Sequence, residues 1–166
     1  KLFLLGMFIL ALSASACCSP VIWDHDLVGK VVDSKTGAPI PGTVIMGQWS
    51  KHYATIAGGP GEDYDGLETV ANLNGEFRLD GQGFRLFTNL QTVMAIVFKA
   101  GYDHVAIDQE SLSENGGIVK LWKFDNMALM RKRYPPSAYG PYEKKKSYIR
   151  EKDKRRIMLG LKPSRH

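Results

Sequence analysis

The sequence predicts an all-β domain, a sandwich of about seven short strands, and three observations predict it. Between Leu27 and Phe124 the chain runs in short alternating or apolar stretches, each bounded by Gly, Pro, Asn or Asp. No stretch there repeats apolar residues at the 3.6-residue period of a helix. From Val93 to Phe98 every residue is apolar, so that strand needs cover on both faces.

The elements follow in order. In "LVGKVVD" (27 to 33), Leu27, Gly29 and Val31 fall on one side of a strand, with Val28, Lys30 and Val32 on the other. "SKTGAPIPG" (34 to 42) then sets the strongest turn formers before the second strand, "TVIMGQW" (43 to 49). Proline fixes φ and removes an N–H, which suits a connection at a sandwich edge where no ladder partner needs that donor. "LETVANLNGEFRLDG" (67 to 81) reads as a hairpin turning at Asn74-Gly75. Beyond the turn, Phe77 and Leu79 point one way while Glu76, Arg78 and Asp80 point the other. "TVMAIVFKAGYDHV" (92 to 105) supplies a core strand, and "GGIVKLWKFD" (116 to 125) the last one, with Val119 and Leu121 on one side.

Three of these stretches, "GKVVDSKTGAPIPGTVIM", "ANLNGEFRL" and "VFKAGYDHV", occur in the order seen in the carboxypeptidase regulatory-like domain, which the chain resembles. That family has the transthyretin-like (prealbumin-like, Ig-like) β-sandwich found behind metallocarboxypeptidase domains and in many bacterial surface proteins. The resemblance covers about 100 residues. It implies that Asp33, Thr36 and Gly37 form the turn after the first strand and that Pro39, Pro41 and Gly42 lead into the second. It also implies that Gly75 and Phe77 open the next arm and that Gly101 and Tyr102 end a core strand. The zinc-binding His-x-x-Glu of a parent carboxypeptidase is missing, since none of the four histidines has Glu three residues later.

Residues 1 to 16, KLFLLGMFILALSASA, give a basic residue, an apolar run from Leu2 to Leu12, and then small residues. This is the order of parts in a secretory signal. The run of about 11 residues falls short of the roughly 20 that span a bilayer. The two cysteines, Cys17 and Cys18, both follow at once. "LSASACC" resembles the lipobox of bacterial lipoproteins, which implies lipidation of Cys17, although Ala14 stands where that pattern prefers Leu. The expected organisation is a signal over 1 to 16, an N-terminal linker over 17 to 26, the sandwich over 27 to 125, and a Pro/Tyr-rich linker with a basic tail over 126 to 166. An exported protein on the periplasmic side of a bacterial membrane, held by lipid, is the expected address.

Net charge is +5, unevenly placed: residues 1 to 130 hold 9 Lys/Arg against 14 Asp/Glu, and residues 131 to 166 hold 13 against 3. "YPPSAYGPY" (134 to 142) reads as an extended strap, with Tyr134, Tyr139 and Tyr142 as candidate anchors. "EKKKSYIREKDKRRIML" (143 to 159) reads as a solvated helix with Glu151 and Arg155 at i, i+4. Its Lys144, Lys145, Lys146, Arg150, Lys152, Lys154, Arg155 and Arg156 are candidates for contact with an anionic surface. Export argues against nucleic acid as the partner and leaves the membrane surface, an envelope protein or a polysaccharide. Docking of the tail onto a larger surface assembly is a further reading.

The insertion "SKHYATIAGGPGEDYDG" (50 to 66) is longer and richer in Gly, Tyr and acid than a plain strand connection. Loops carry function more often than strands do, so Trp49, His52, Tyr53, Glu62, Asp63, Tyr64 and Asp65 form the candidate binding surface. Asp24, His25 and Asp26 in "WDHD" offer metal-ligand residue types, but consecutive side chains on a strand alternate faces and do not converge. "GQGF" (81 to 84) lacks the strand-to-helix setting of a phosphate loop. The sequence offers no catalytic, metal or cofactor site, and a non-enzymatic binding or scaffolding module is expected. The alternative is a small extracytoplasmic enzyme or metal-binding protein using the insertion with His52 or His104.

Overall fold

A computed structural model describes residues 21 to 51, 62 to 86, 90 to 91 and 93 to 164. The strands are β1 (Val21–Asp24), β2 (Leu27–Asp33), β3 (Val44–Lys51), β4 (Glu62–Val70), β5 (Glu76–Leu79), β6 (Gly83–Leu86), β7 (Met94–Phe98), β8 (Val105–Ile107) and β9 (Ile118–Leu121). Among the described residues three α-helices accompany them, α1 (Gln109–Glu114), α2 (Met127–Lys132) and α3 (Lys146–Met158), with a single 3-10 turn at Tyr142–Lys144.

The described residues form an all-β body of two main sheets. One has the order β5-β2-β9 and the other β4-β3-β7-β8. β2 pairs antiparallel with β5 and parallel with β9. The four-stranded sheet is antiparallel throughout, with a register shift between Trp49 and Ser50. Leu27, Val31, Phe77, Leu79, Val119 and Leu121 of the smaller sheet share one buried core with Ile45, Trp49, Ala95, Val97 and Ile107 of the larger. The alternation read in "LVGKVVD" and "GGIVKL" is therefore the inward face of these strands.

The Gly-Pro connection at 34 to 42 carries the chain from β2 in one sheet to β3 in the other. Asp33 Oδ1 accepts the N–H groups of Lys35 and Thr36, both at 2.9 Å, and Gly37 takes a φ of +70°. Pro39 bridges Val32 at the sheet edge, and Ile40 plugs the core behind it. The turn at 72 to 75 corrects the sequence reading. Its local chemistry is as expected: Asn72 Oδ1 accepts from the N–H groups of Asn74 and Glu76, and Gly75 has a φ of +77°. The strands it joins, β4 and β5, lie in different sheets, so it is a crossing between layers and no hairpin.

Two further expectations are corrected. Val21–Asp24, read as linker, is strand β1, antiparallel to β6 in a separate two-stranded ribbon. Residues 62 to 66, read as part of an inserted loop, belong to the edge strand β4 (Glu62–Val70), with the exposed pattern of an edge over Glu62 to Tyr64.

The all-apolar strand β7 is covered on both faces, as its composition requires. Ala95 and Val97 face the main core, while Ile96 and Phe98 join Val44, Met46 and Tyr148 in a second cluster. Tyr148 belongs to α3, so the basic tail supplies the second cover. Its ring meets Phe98 edge-on at 5.7 Å, and its hydroxyl donates to Pro136 O at 2.8 Å. The solvated helix of the sequence reading is thus packed on the larger sheet. Its buried residues are Tyr148, Glu151 and Arg155.

Candidate functional site

The acidic body and the basic tail meet along β4. Lys144 Nζ reaches Asp65 Oδ1 and Oδ2 at 2.8 and 2.7 Å. Glu68 accepts the N–H groups of Ser147 and Tyr148, both at 2.8 Å. These are first-turn donors of α3, which has no side-chain cap of its own, so a carboxylate from the sheet completes the helix N-terminus. The strap between α2 and α3 crosses close over the same strand. A Cβ on Gly66 would lie 2.7 Å from Tyr139 O, so the crossing requires a glycine there. Pro135 and Ala138 seat the strap, whereas the rings of Tyr139 and Tyr142 stand 44% and 48% exposed.

Arg155 is the centre of the tail. It is fully buried, and its guanidinium donates to Met130 O at 2.9 Å, Arg133 O at 2.7 Å and Tyr102 O at 3.3 Å. It also stands 4.7 Å from the Phe124 ring centroid and 5.5 Å from that of Phe98. This removes Arg155 from the exposed candidates for an anionic surface. Most of the others are engaged within the chain. Lys145 donates to Ala138 O, Lys152 to Pro136 O and Arg156 to Lys162 O, while Lys146 pairs with Glu143 and Lys154 with Glu151. Arg150 is exposed. Burial pulls the Lys152 ammonium below its usual pKa.

The candidate binding surface divides in the same way. Trp49 is 1% exposed and belongs to the core, where its indole N–H donates to Asp24 Oδ2 at 2.6 Å. It is a structural residue, and its removal from the surface corrects the sequence reading. His52 and Tyr53 lie outside the described residues. Glu62, Asp63 and Tyr64 are exposed at the start of β4, with Lys51 Nζ 4.3 Å from the Tyr64 ring centroid. Asp65 is held by Lys144.

At the root of the β3–β4 pair lies a cleft of about 540 Å³, within the range of small-ligand sites. Gln48, Ser50, Asp63, Gln91, Asp108 and Tyr139 bring polar groups to it, over an apolar floor that includes Val93 and Met94. Gln48 Nε2 is buried with no hydrogen-bond partner. An unpaired buried donor is costly, and a ligand acceptor would relieve it. Of the sequence candidates among the described residues, Asp63 lines this cleft and the buried Trp49 borders it from the core. Sequence reasoning missed Gln48 and Gln91 because isolated amides carry no motif.

The two described histidines, His25 and His104, do not line the cleft. Asp24 is buried, His25 exposed, and Asp26 paired with Arg78, so the "WDHD" side chains do not converge. His104 Nδ1 is buried 3.5 Å from Asp103 Oδ1 with no hydrogen bond, and burial lowers its pKa. Among the described residues no three His, Cys, Asp or Glu side chains gather in one place, and no helix is long and apolar enough to cross a membrane. Compared with protein-family models, curated proteins and solved structures, the chain gives no match.

Proposed function

We propose that the protein is a non-catalytic, exported binding module of the bacterial envelope, tethered by lipid at Cys17, that holds a neutral saccharide in the cleft beside β3 and β4. The carrying observation is the cleft itself, lined by Gln48, whose Nε2 lies buried without a hydrogen-bond partner. A saccharide presents hydroxyl and carbonyl acceptors to that donor and hydrogens to the Asp63 carboxylate, and it offers a flat face to Tyr139. The carboxylates of Asp63 and Asp108 make the same cleft unfavourable for an anionic sugar.

The β-sandwich frame of this reading is transthyretin-like. In its support stand the Asp33 turn after β2, the Pro39 to Gly42 entry into β3 and the end of β7 shortly before Gly101. The tail serves as the cover of that sandwich, because Tyr148 packs on Phe98 and most of the tail's candidate charges are met within the chain.

Titration calorimetry with N-acetylglucosamine oligomers tests the cleft, with uronate oligomers as the charged counterpart. Heat from the neutral oligomer that falls at least about tenfold in affinity on Gln48→Leu or Asp63→Ala is the expected result, since losing a bond to a buried or charged group is worth about 1.5 to 3 kcal/mol. Binding untouched by both substitutions, or tighter binding of the uronate, refutes the assignment.

A further inference from the structure

The β1–β6 ribbon stands outside both main sheets and presents an apolar face to solvent. Trp23 lies directly opposite Phe84 in the register, and Leu86 follows two residues on along the same face. The Trp23 and Phe84 rings are 5.8 Å apart, and Trp23, Phe84 and Leu86 are 58%, 52% and 53% exposed. The ribbon is nevertheless fixed in direction. From its other face Asp24, 2% exposed, accepts the Trp49 indole N–H, the Gln82 N–H at 2.7 Å and the Val93 N–H at 3.1 Å. A two-stranded ribbon gains little stability from an outer face left in water, so these side chains are placed for something that covers them.

The chain before the ribbon indicates what that is. Val21 follows Cys17 by four residues, a span of at most about 14 Å when extended. We propose that the Trp23, Phe84 and Leu86 face of the ribbon seats in the interfacial zone of the lipid bilayer and fixes the orientation of the sandwich above it. Indole and phenyl rings favour that zone, where an apolar body meets a wet boundary. Arg85, which alternates to the opposite side of β6 and donates to Gln82 Oε1 at 2.8 Å, stays with the polar layer. The inference rests on the membrane tether in the reading above and is independent of the cleft.

The test reconstitutes the full chain into vesicles of phosphatidylethanolamine and phosphatidylglycerol whose acyl chains carry bromine, a short-range quencher of indole emission. The difference between wild type and Trp23→Phe isolates the Trp23 emission. A seated ribbon loses most of that emission in brominated vesicles and keeps it in unbrominated ones, and Phe84→Ser with Leu86→Ser restores it. The near-UV dichroism of the buried Trp49 checks that each variant is folded. Vesicle flotation reads the tether separately. Protein that floats with its Trp23 emission unquenched overturns the ribbon inference and leaves the tether standing. Protein that does not float removes the tether reading; Cys18→Ser protein coupled through Cys17 to a maleimide-headgroup lipid then supplies the attachment, and the same quenching decides for or against the ribbon. A soluble protein that covers this face while the coupled form stays unquenched also overturns it.

Discussion

Asp24 and Trp49, 25 residues apart, are joined by a 2.6 Å hydrogen bond inside the protein, and this bond ties the outer ribbon to the main core. Asp24 also holds the backbone N–H groups of Gln82 and Val93. Asp24→Ala leaves three donors without an acceptor. At about 1 to 3 kcal/mol for each unsatisfied group, a loss of about 3 kcal/mol or more in urea unfolding is expected. Asp24→Asn keeps one acceptor oxygen and should fall between. A loss under about 1 kcal/mol for the alanine variant would show that the ribbon is not anchored through this carboxylate.

Arg155 makes the tail part of the fold. Arg155→Met deletes the donors of three carbonyl groups and three ring contacts, so destabilisation of about 3 kcal/mol is expected. Arg155→Lys retains charge without the planar fork and should recover only part of it. If chemical denaturation of Arg155→Met matched wild type, α3 would be an appended helix after all.

Gly75 and Gly37 share a positive φ but differ in surroundings. A Cβ at Gly75 would stand 2.5 Å from Val31 O, whereas nothing lies within 4 Å of one at Gly37. Gly37→Ala should therefore cost about 1 kcal/mol of backbone strain, and Gly75→Ala distinctly more. Equal midpoints for the two variants in thermal unfolding would contradict the close crossing at 72 to 75.

Acid should weaken the fold in two stages. His104 is held below its ordinary pKa of 6.5 by burial, so its unfolded form takes up protons first. Its contribution is whole above 6.5 and declines as pH falls below that value. Three carboxyls lie below their ordinary 3.8: Asp33 through the N–H groups of Thr36 and Lys35, Asp26 through the Gly81 N–H and Arg78, and Asp108 through Ser111. Their stability is present above 3.8 and is lost as pH drops through the folded values. His104→Gln should abolish the first stage in a pH series of urea midpoints and leave the second. A first stage that survives the substitution would assign it elsewhere.

The parts of the fold that were legible are those where local chemistry and burial agree. β2 and β9 show their inward residues by alternation, β7 shows by its unbroken apolar run that something must cover its outer face, and Asn72 to Gly75 carries its own turn signal. The misses have a common cause in residues whose burial or pairing is not aliphatic. β4 is an edge strand written in acids, β1 is four residues long with a buried aspartate, and α3 packs through Tyr148, Glu151 and Arg155, which no apolar period detects. Local turn residues also cannot tell which sheet the next strand will join. In the cleft Asp63 was legible as part of an unusual insertion, but Gln48 became notable only once its amide was seen buried without a partner.

The membrane tether proposed at Cys17 underlies both the proposed envelope address and the proposed seating of the ribbon. Feeding radiolabelled fatty acid to bacteria that produce the wild type or Cys17→Ser tests it in one step. Label in the wild-type band and none in the variant is the expected result. Equal label in both, or none in either, contradicts it.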